Sequence, residues 1–185
     1  MKTCLLALAL LLGASRAFAQ LSPTEEAAVR RTVARITANF QNHHFADMAT
    51  YTTPDVSWVN IVGMWWRGRP AVQQAHQQIF DTIFKGVAFA PGKATVRGIA
   101  PGVAVVNLYC HVGAFYPPDG IDHGSNKEGD DDNLLTLVLV KRQGHWLLTA
   151  AQNTVVRAAA QANNPIGKTS PPPAPFDPVK FANYH

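Results

Sequence analysis

Cysteine is nearly absent from this chain, which has two cysteines among 185 residues. Cys4 lies in an amino-terminal segment that we predict to be removed, so Cys110 alone remains in the predicted mature chain. A single cysteine cannot form an internal disulfide, and the domain therefore has to be held by its hydrophobic core. Cys110 lies in an alternating apolar pattern, which favours a small buried side chain over a reactive thiol.

Dense runs of lysine and arginine are also missing. The formal net charge of the whole chain is +4, and removal of Lys2 and Arg16 with the predicted leader lowers it. A basic patch is the electrostatic mark of a nucleic-acid-binding surface, so we expect no nucleic-acid partner. Beyond the leader, no apolar run reaches the length of a membrane-spanning helix, and we expect no membrane span.

The amino terminus has the three parts of a secretory signal peptide. Lys2 gives a basic start, residues 4–12 form a short apolar core, and residues 17–19 form an A-x-A cleavage site. We predict cleavage after Ala19 and export of the mature chain to the periplasm or the medium. At the other end, residues 161–185 form a Pro-rich tail with little periodicity.

Between these ends, helical patterns come first and strand patterns follow. Residues 22–25 form the N-cap signature of a first helix, and we expect a short second helix over residues 44–50. Apolar periodicity predicts a longer helix over residues 70–84. We expect a turn over residues 51–55 and a long polar loop over residues 116–132. Hydrophobic alternation and turn signals predict strands over residues 56–61, 64–67, 93–99, 103–115, 134–141 and 145–153, and a short segment over residues 87–89 leads to the third of them. This order predicts one α+β domain over residues 20–160.

A histidine interrupts the apolar face of the helix predicted over residues 70–84. His76 occupies one position of this face, and apolar residues recur at helical spacing on both sides of it, at Val72, Ala75, Ile79, Phe80 and Ile83. A buried imidazole needs a hydrogen-bond partner. His76 therefore either bonds to a neighbouring structural group or faces a cavity where a ligand meets it, and the pattern alone is compatible with both.

Several separated segments together resemble a known family. They are Pro54-Asp55-Val56-Ser57-Trp58-Val59-Asn60, Trp66-Arg67-Gly68-Arg69, Ala75-His76 and the last strand from Trp146 to Thr154. In order and spacing, residues 22–157 resemble the SnoaL-like branch of the nuclear-transport-factor-two-like superfamily, and more narrowly the SgcJ/EcaC family. The resemblance implies a cone-shaped domain, in which a strongly curved, mainly antiparallel sheet wraps around N-terminal helices and leaves an apolar pocket. It also implies a homodimer formed through the sheet.

In such a cone, side chains that point inward would form the ligand site. The expected pocket residues are Trp58, Asn60, Trp66, Phe80, Tyr109 and Asn153, with His76 as the catalytic residue. His76 suits acid–base chemistry because the ordinary pKa of an imidazole lies near neutrality. Asn60, Tyr109 or Asn153 could hold a developing oxyanion. Strand parity leaves Tyr109 and its neighbours Asn107 and His111 either in the pocket or at a dimer interface.

The sequence lacks the residues that several well-known reactions and cofactor sites require. Ketosteroid isomerases of the superfamily use a carboxylate base with a tyrosine and a protonated aspartate, but no aspartate falls on the expected inward positions of the long strand or the last strand. The acidic residues of the loop over 116–132 match no calcium or zinc spacing. No phosphate-binding glycine motif is present. We therefore expect neither a metal nor a cofactor.

Two functions fit these features. The first is an exported small-molecule pocket protein, in which His76 performs acid–base chemistry on an apolar, carbonyl-bearing substrate. The second is a non-catalytic module that captures a ligand or associates as a dimer. The first function requires an imidazole nitrogen that has no protein partner and lies beside a cavity, and this requirement can be checked in the folded domain.

Overall fold

Residues 20–165 are described by the computed structural model of this 185-residue chain, so the predicted signal peptide and most of the Pro-rich tail lie outside the described residues. The described part is α+β, as the sequence predicts. Its α-helices are α1 (Pro23–Asn42), α2 (Arg69–Asp81) and α3 (Ala158–Ala162), and a short 3-10 helix covers Met48–Thr50, within the helix predicted over residues 44–50. Its strands are β1 (Thr52–Val59), β2 (Trp65–Arg67), β3 (Phe89–Ala100), β4 (Val103–Phe115), β5 (Glu128–Arg142) and β6 (His145–Val155).

Helix α1 begins where its sequence signature predicts. The Ser22 hydroxyl accepts a hydrogen bond from the Glu25 backbone N–H at 3.2 Å, and the Glu25 carboxylate accepts one from the Ser22 backbone N–H at 3.3 Å. These bonds satisfy two amide groups that the first helical turn leaves unpaired. The apolar stripe of α1 is buried against the sheet, and it includes Val29, Val33, Ile36 and Phe40.

The strands form one open, curved sheet in the order β2-β1-β6-β5-β4-β3. Neighbouring strands are antiparallel except for β1 and β6, which run parallel. Side chains alternate along β4 and β5, so that Val106, Leu108, Leu135 and Leu137 are buried on the inner face. This inner face packs against the helices, and the hydrophobic core therefore lies inside the curve of the sheet.

Two strands begin earlier than the sequence predicts. The predicted turn over residues 51–55 is wrong in part, because β1 begins at Thr52, which pairs with Leu148 of β6. Pro54 is tolerated there because the register of this ladder shifts between Thr52 and Ser57, where a missing N–H costs little. The predicted loop over residues 116–132 is too long, because β5 pairs with β4 from Glu128 onward.

The connection after α2 also differs from the prediction. Helix α2 ends at Asp81 rather than at residue 84, and the Phe84 backbone N–H bonds to the Ile79 carbonyl at 2.9 Å in the following turn. The strand predicted over residues 93–99 lies within β3, which begins at Phe89, so Val87 and Ala88 of the predicted segment over residues 87–89 precede the strand. Within residues 20–165, no helix combines the length and the apolarity that a membrane crossing requires.

Candidate functional site

A cavity of about 70 Å³ lies inside the curve of the sheet, beside α2. Its polar side chains are those of Asn60, His76 and Asn153. The rest of its wall is apolar and is formed by Phe40, Trp58, Ile61, Trp66, Ile79, Phe80, Phe84, Val87, Phe89, Val112 and Leu135. Apolar walls with a few convergent polar groups are typical of a small-molecule site, although such sites usually measure roughly 300–1,000 Å³. A larger ligand therefore has to extend through the open side of the cavity or displace side chains.

The structure brings all but one of the sequence-predicted site residues together on this wall. They are Trp58, Asn60, Trp66, His76, Phe80 and Asn153. Tyr109 is absent from the wall, because alternation along β4 buries Leu108 and Cys110 and places Tyr109 on the outer face of the sheet. The expectation that Tyr109 lines the pocket therefore does not hold. Asn107 and His111 share the outer face with it.

His76 is 4 % exposed and lies in a cluster of aromatic rings. Its ring centroid is 4.6 Å from that of Trp58 and 5.1 Å from that of Trp66, both in edge-to-face geometry. Phe40 and Phe45 approach it at 5.4 Å and 5.2 Å. Aromatic contacts from four residues restrict the orientation of the imidazole plane, so that the positions of its two nitrogens are well defined.

One nitrogen of the His76 ring is paired and the other is not. Nδ1 lies 2.8 Å from the carbonyl oxygen of Val72, one turn earlier on α2. Because a carbonyl oxygen only accepts, Nδ1 carries the proton and donates it. In the neutral ring Nε2 is then unprotonated, and it has no hydrogen-bond partner within residues 20–165. His76 therefore offers a lone pair beside the cavity.

Burial keeps this imidazole neutral. Loss of hydration lowers the pKa of His76 to about 4, against a smaller opposing effect of the Val72 hydrogen bond. At neutral pH His76 is uncharged and acts as a hydrogen-bond acceptor or as a weak base. No Asp, Glu, Lys or Arg side chain is among the described wall residues. The cavity is therefore uncharged, and it suits an uncharged ligand because an isolated ion would lose its hydration without gaining a partner.

The two asparagines on the wall differ in what they bond. The Oδ1 atom of Asn153 is buried and has no hydrogen-bond partner in the described part of the chain. An unsatisfied buried polar group costs about 1–3 kcal/mol, so a ligand or water that bonds to this amide is favoured. The Asn60 Oδ1 atom instead accepts hydrogen bonds from the backbone N–H groups of Val62 at 3.1 Å and Met64 at 2.8 Å. Asn60 thus shapes the turn between β1 and β2.

Three phenylalanines on the wall were not predicted as site residues from the sequence. Phe40 is central among them, because its ring contacts those of Trp58, His76 and Phe89 with centroid distances of 5.7, 5.4 and 5.0 Å. Its position in the α1 stripe indicated burial, but no sequence signal showed that a cavity would adjoin it. Phe84 follows the end of α2 and stacks on Phe115 at 4.3 Å.

Titratable groups outside the cavity form no comparable site in the part of the chain that the structure describes. On the outer face, the two imidazole nitrogens of His111 lie 3.1 Å from Asp132 and 3.4 Å from Asp130. Burial raises the pKa of the Cys110 thiol to about 12, which makes it a poor nucleophile. Within residues 20–165, no group of three or more histidine, cysteine, aspartate or glutamate side chains is arranged to hold a metal ion.

Comparisons with known proteins agree with this architecture. The profile of a SnoaL-like domain matches residues 29–155. An uncharacterised protein with a cystatin-like fold from Caulobacter vibrioides is 31% identical, with a TM-score of 0.71 over 76% of this chain and 96% of its own. No curated protein matches the chain.

Two more distant structures share the fold alone. A proposed dehydratase of the NTF2-like family from Streptomyces avermitilis is 18% identical, with a TM-score of 0.59 over 74% of this chain and 100% of its own. A proposed scytalone dehydratase from Novosphingobium aromaticivorans is 14% identical, with a TM-score of 0.54 over 72% of this chain and 85% of its own.

Proposed function

This chain belongs to the SnoaL-like domain family of the nuclear-transport-factor-two-like superfamily, and from that premise we propose that its cavity binds an uncharged, largely apolar small molecule. Domains of this fold commonly bind small molecules, and some members are dehydratases or isomerases. A shared fold does not assign a reaction. The observation that carries the proposal is the unpaired Nε2 of a neutral His76 beside an uncharged cavity.

In this proposal His76 acts as a general base on a carbonyl-bearing ligand. The Nε2 lone pair takes a proton from the carbon next to the carbonyl group. The electron pair of the broken C–H bond forms the carbon–carbon double bond of an enolate, and the π pair of the carbonyl group moves to its oxygen. An N–H of the Asn153 amide donates to that oxygen as its negative charge develops. Because the pKa of His76 is about 4, this base is weak. The step therefore fits a substrate whose C–H bond is already acidic, such as one flanked by two carbonyl groups.

Capture of a ligand without turnover is the second candidate function. The low pKa of His76 favours it, because a base whose conjugate acid has a pKa of about 4 provides little driving force for proton removal at neutral pH. In this case the Nε2 lone pair only accepts a hydrogen bond. The two candidates use the same cavity and the same lone pair, and they differ in whether the bound molecule is changed.

Native mass spectrometry of the protein purified from its host tests whether a molecule is bound. We expect a retained small molecule in the wild type and its loss in His76→Ala, with an unchanged far-UV circular dichroism spectrum. His111→Ala on the outer face is the matched control and should retain the molecule. Incubation of the identified molecule with the protein then separates catalysis from capture. A wild type without any bound molecule, whose thermal stability no uncharged apolar compound raises, would contradict the binding proposal.

We also propose that the outer face of the sheet forms a homodimer. Val105, Tyr109, Leu134 and Val138 share this face and are partly exposed. The hydrogen-bonded pair Asn107–Thr136 lies between them, and a partly exposed sheet surface of this mainly apolar kind is typical of an association site. We expect a dimer in sedimentation equilibrium, and a monomer in Val138→Lys because a buried lysine without a partner is costly. A monomeric wild type at micromolar concentration would contradict this assembly.

Export of the chain is a proposal that depends on the amino-terminal signal. Amino-terminal sequencing of the protein recovered from the periplasm or the medium should begin at Gln20. Recovery of the chain only inside the cell with its first nineteen residues attached would be evidence against export.

A further inference from the structure

The geometry points to a ligand that carries a hydroxyl group on an unsaturated carbon, a phenol or an enol, and that places this hydroxyl between His76 and Asn153. The inference deepens the proposed binding function and rests on it. It follows from three features of the cavity. The Nε2 atom of His76 is unpaired, the Oδ1 atom of Asn153 has no partner in the described part of the chain, and no described wall residue is charged.

His76 requires a ligand group that donates a hydrogen bond. The Val72 carbonyl holds the imidazole proton on Nδ1, so Nε2 presents only a lone pair. A carbonyl or ether oxygen placed against Nε2 would leave two acceptors facing each other without a hydrogen. Such a ligand therefore leaves Nε2 without a hydrogen bond, whereas an O–H group satisfies it.

Asn153 makes the requirement more specific. Its amide lines the same cavity, and its buried Oδ1 has no partner in the described part of the chain. A primary amide carries both donors and an acceptor. A hydroxyl oxygen donates one hydrogen bond and accepts others, so a single hydroxyl can donate to His76 Nε2 and accept from the Asn153 amide nitrogen. Asn153 Oδ1 is itself an acceptor and is then left for a water molecule or a second donor of the ligand. The enclosed space of about 70 Å³ holds a hydroxyl group and few further atoms.

The remainder of the wall selects the rest of the molecule. Six aromatic side chains line the cavity, and flat rings make favourable stacked and edge contacts with them. They are Phe40, Trp58, Trp66, Phe80, Phe84 and Phe89. An ammonium or carboxylate ligand finds no described charged partner on this wall. A planar, uncharged ligand therefore fits with its hydroxyl inside and its ring extending toward the open side, beside partly exposed Ile61 and Trp66.

A matched pair of probes tests this inference by isothermal titration calorimetry. The probes 2-naphthol and 2-methoxynaphthalene share the ring and an accepting oxygen, but only the naphthol has a hydrogen to donate. We expect the wild type to bind 2-naphthol about tenfold more tightly than its methyl ether, which is the size of one buried hydrogen bond. His76→Phe keeps an aromatic ring but removes the acceptor, so this variant should bind the two probes with about equal affinity.

A second variant covers the event that His76→Phe does not fold. Asn153→Leu removes the amide with little change of volume. It should weaken the binding of 2-naphthol more than the binding of naphthalene, which has the same rings but no oxygen. Equal affinity of the wild type for naphthol and its ether overturns the hydroxyl inference and leaves the proposed binding function standing. Binding of 2-naphthoate in preference to 2-naphthol overturns it as well. If none of these ring compounds binds, the hydroxyl inference fails, whereas the proposed function fails only if no uncharged apolar compound raises the thermal stability of the protein.

Discussion

The neutral state of buried His76 makes the stability of this domain depend on pH. Burial lowers the pKa of its imidazole from 6.5 to about 4 in the folded state. Between these two values the unfolded chain binds a proton that the folded domain excludes, so the free energy of unfolding falls as the pH drops. The contribution of His76 is fully present above about pH 6.5 and is lost as the pH falls toward 4.

The size of this effect follows from the shift itself. One pKa unit corresponds to 1.36 kcal/mol, so the complete loss is about 3 kcal/mol, of which about 2 kcal/mol falls between pH 7 and pH 5. Native domains are stable by roughly 5–15 kcal/mol, so a loss of this size is a large part of the total. It arises from one side chain, because the ring has neither a carboxylate partner nor a described charged neighbour on the cavity wall.

Urea unfolding followed by tryptophan fluorescence measures the effect. The free energy of unfolding is determined at pH 7 and at pH 5 for the wild type and for His76→Phe. The variant retains an aromatic ring but cannot titrate, and all other histidines and carboxylates are common to both proteins. The wild type should lose about 2 kcal/mol more than the variant over this interval. An equal loss in both proteins would refute the conclusion that His76 is buried in its neutral form.

Three further predictions concern the surrounding structure. Phe40→Ala should cost about 3–5 kcal/mol in urea unfolding, because its ring contacts several others in the core; a cost below 1 kcal/mol would contradict this packing. Ser22→Ala should cost about 1 kcal/mol, seen as a lower melting temperature, because it removes the N-cap bond to Glu25; an unchanged melting temperature would be evidence against the cap. Cys110 should react with a thiol reagent only after denaturation, because burial raises its pKa to about 12; rapid reaction of the folded protein would show an accessible thiol.

Elements whose local patterns agree with their environment could be predicted from the sequence. Strand β4 is predicted over residues 103–115 and is observed with the same bounds, because regular alternation matches a strand with one buried face. The N-cap of α1 could also be predicted, because its sequence signal lies within a few consecutive residues. His76 was identified for the same reason, because one polar residue on an apolar helix face is visible without knowledge of the fold.

Features that depend on distant partners could not be predicted in the same way. The start of β1 at Thr52 has turn-like composition, and its strand conformation results from pairing with β6, about a hundred residues later. The acidic start of β5 lacks an apolar strand pattern, and its strand conformation results from pairing with β4. Tyr109 was expected in the pocket, although the alternate positions Leu108 and Cys110 were the more apolar set and are the ones that face inward.

Nuclear magnetic resonance of the His76 imidazole nitrogens tests the central claim most directly. Long-range proton–nitrogen spectra at pH 7 report which ring nitrogen carries the proton and whether the ring is charged. We predict a neutral ring with a protonated Nδ1, an unprotonated Nε2, and a change at Nε2 when 2-naphthol is added. A charged ring, a proton on Nε2, or an Nε2 resonance that bound naphthol leaves unchanged would contradict it.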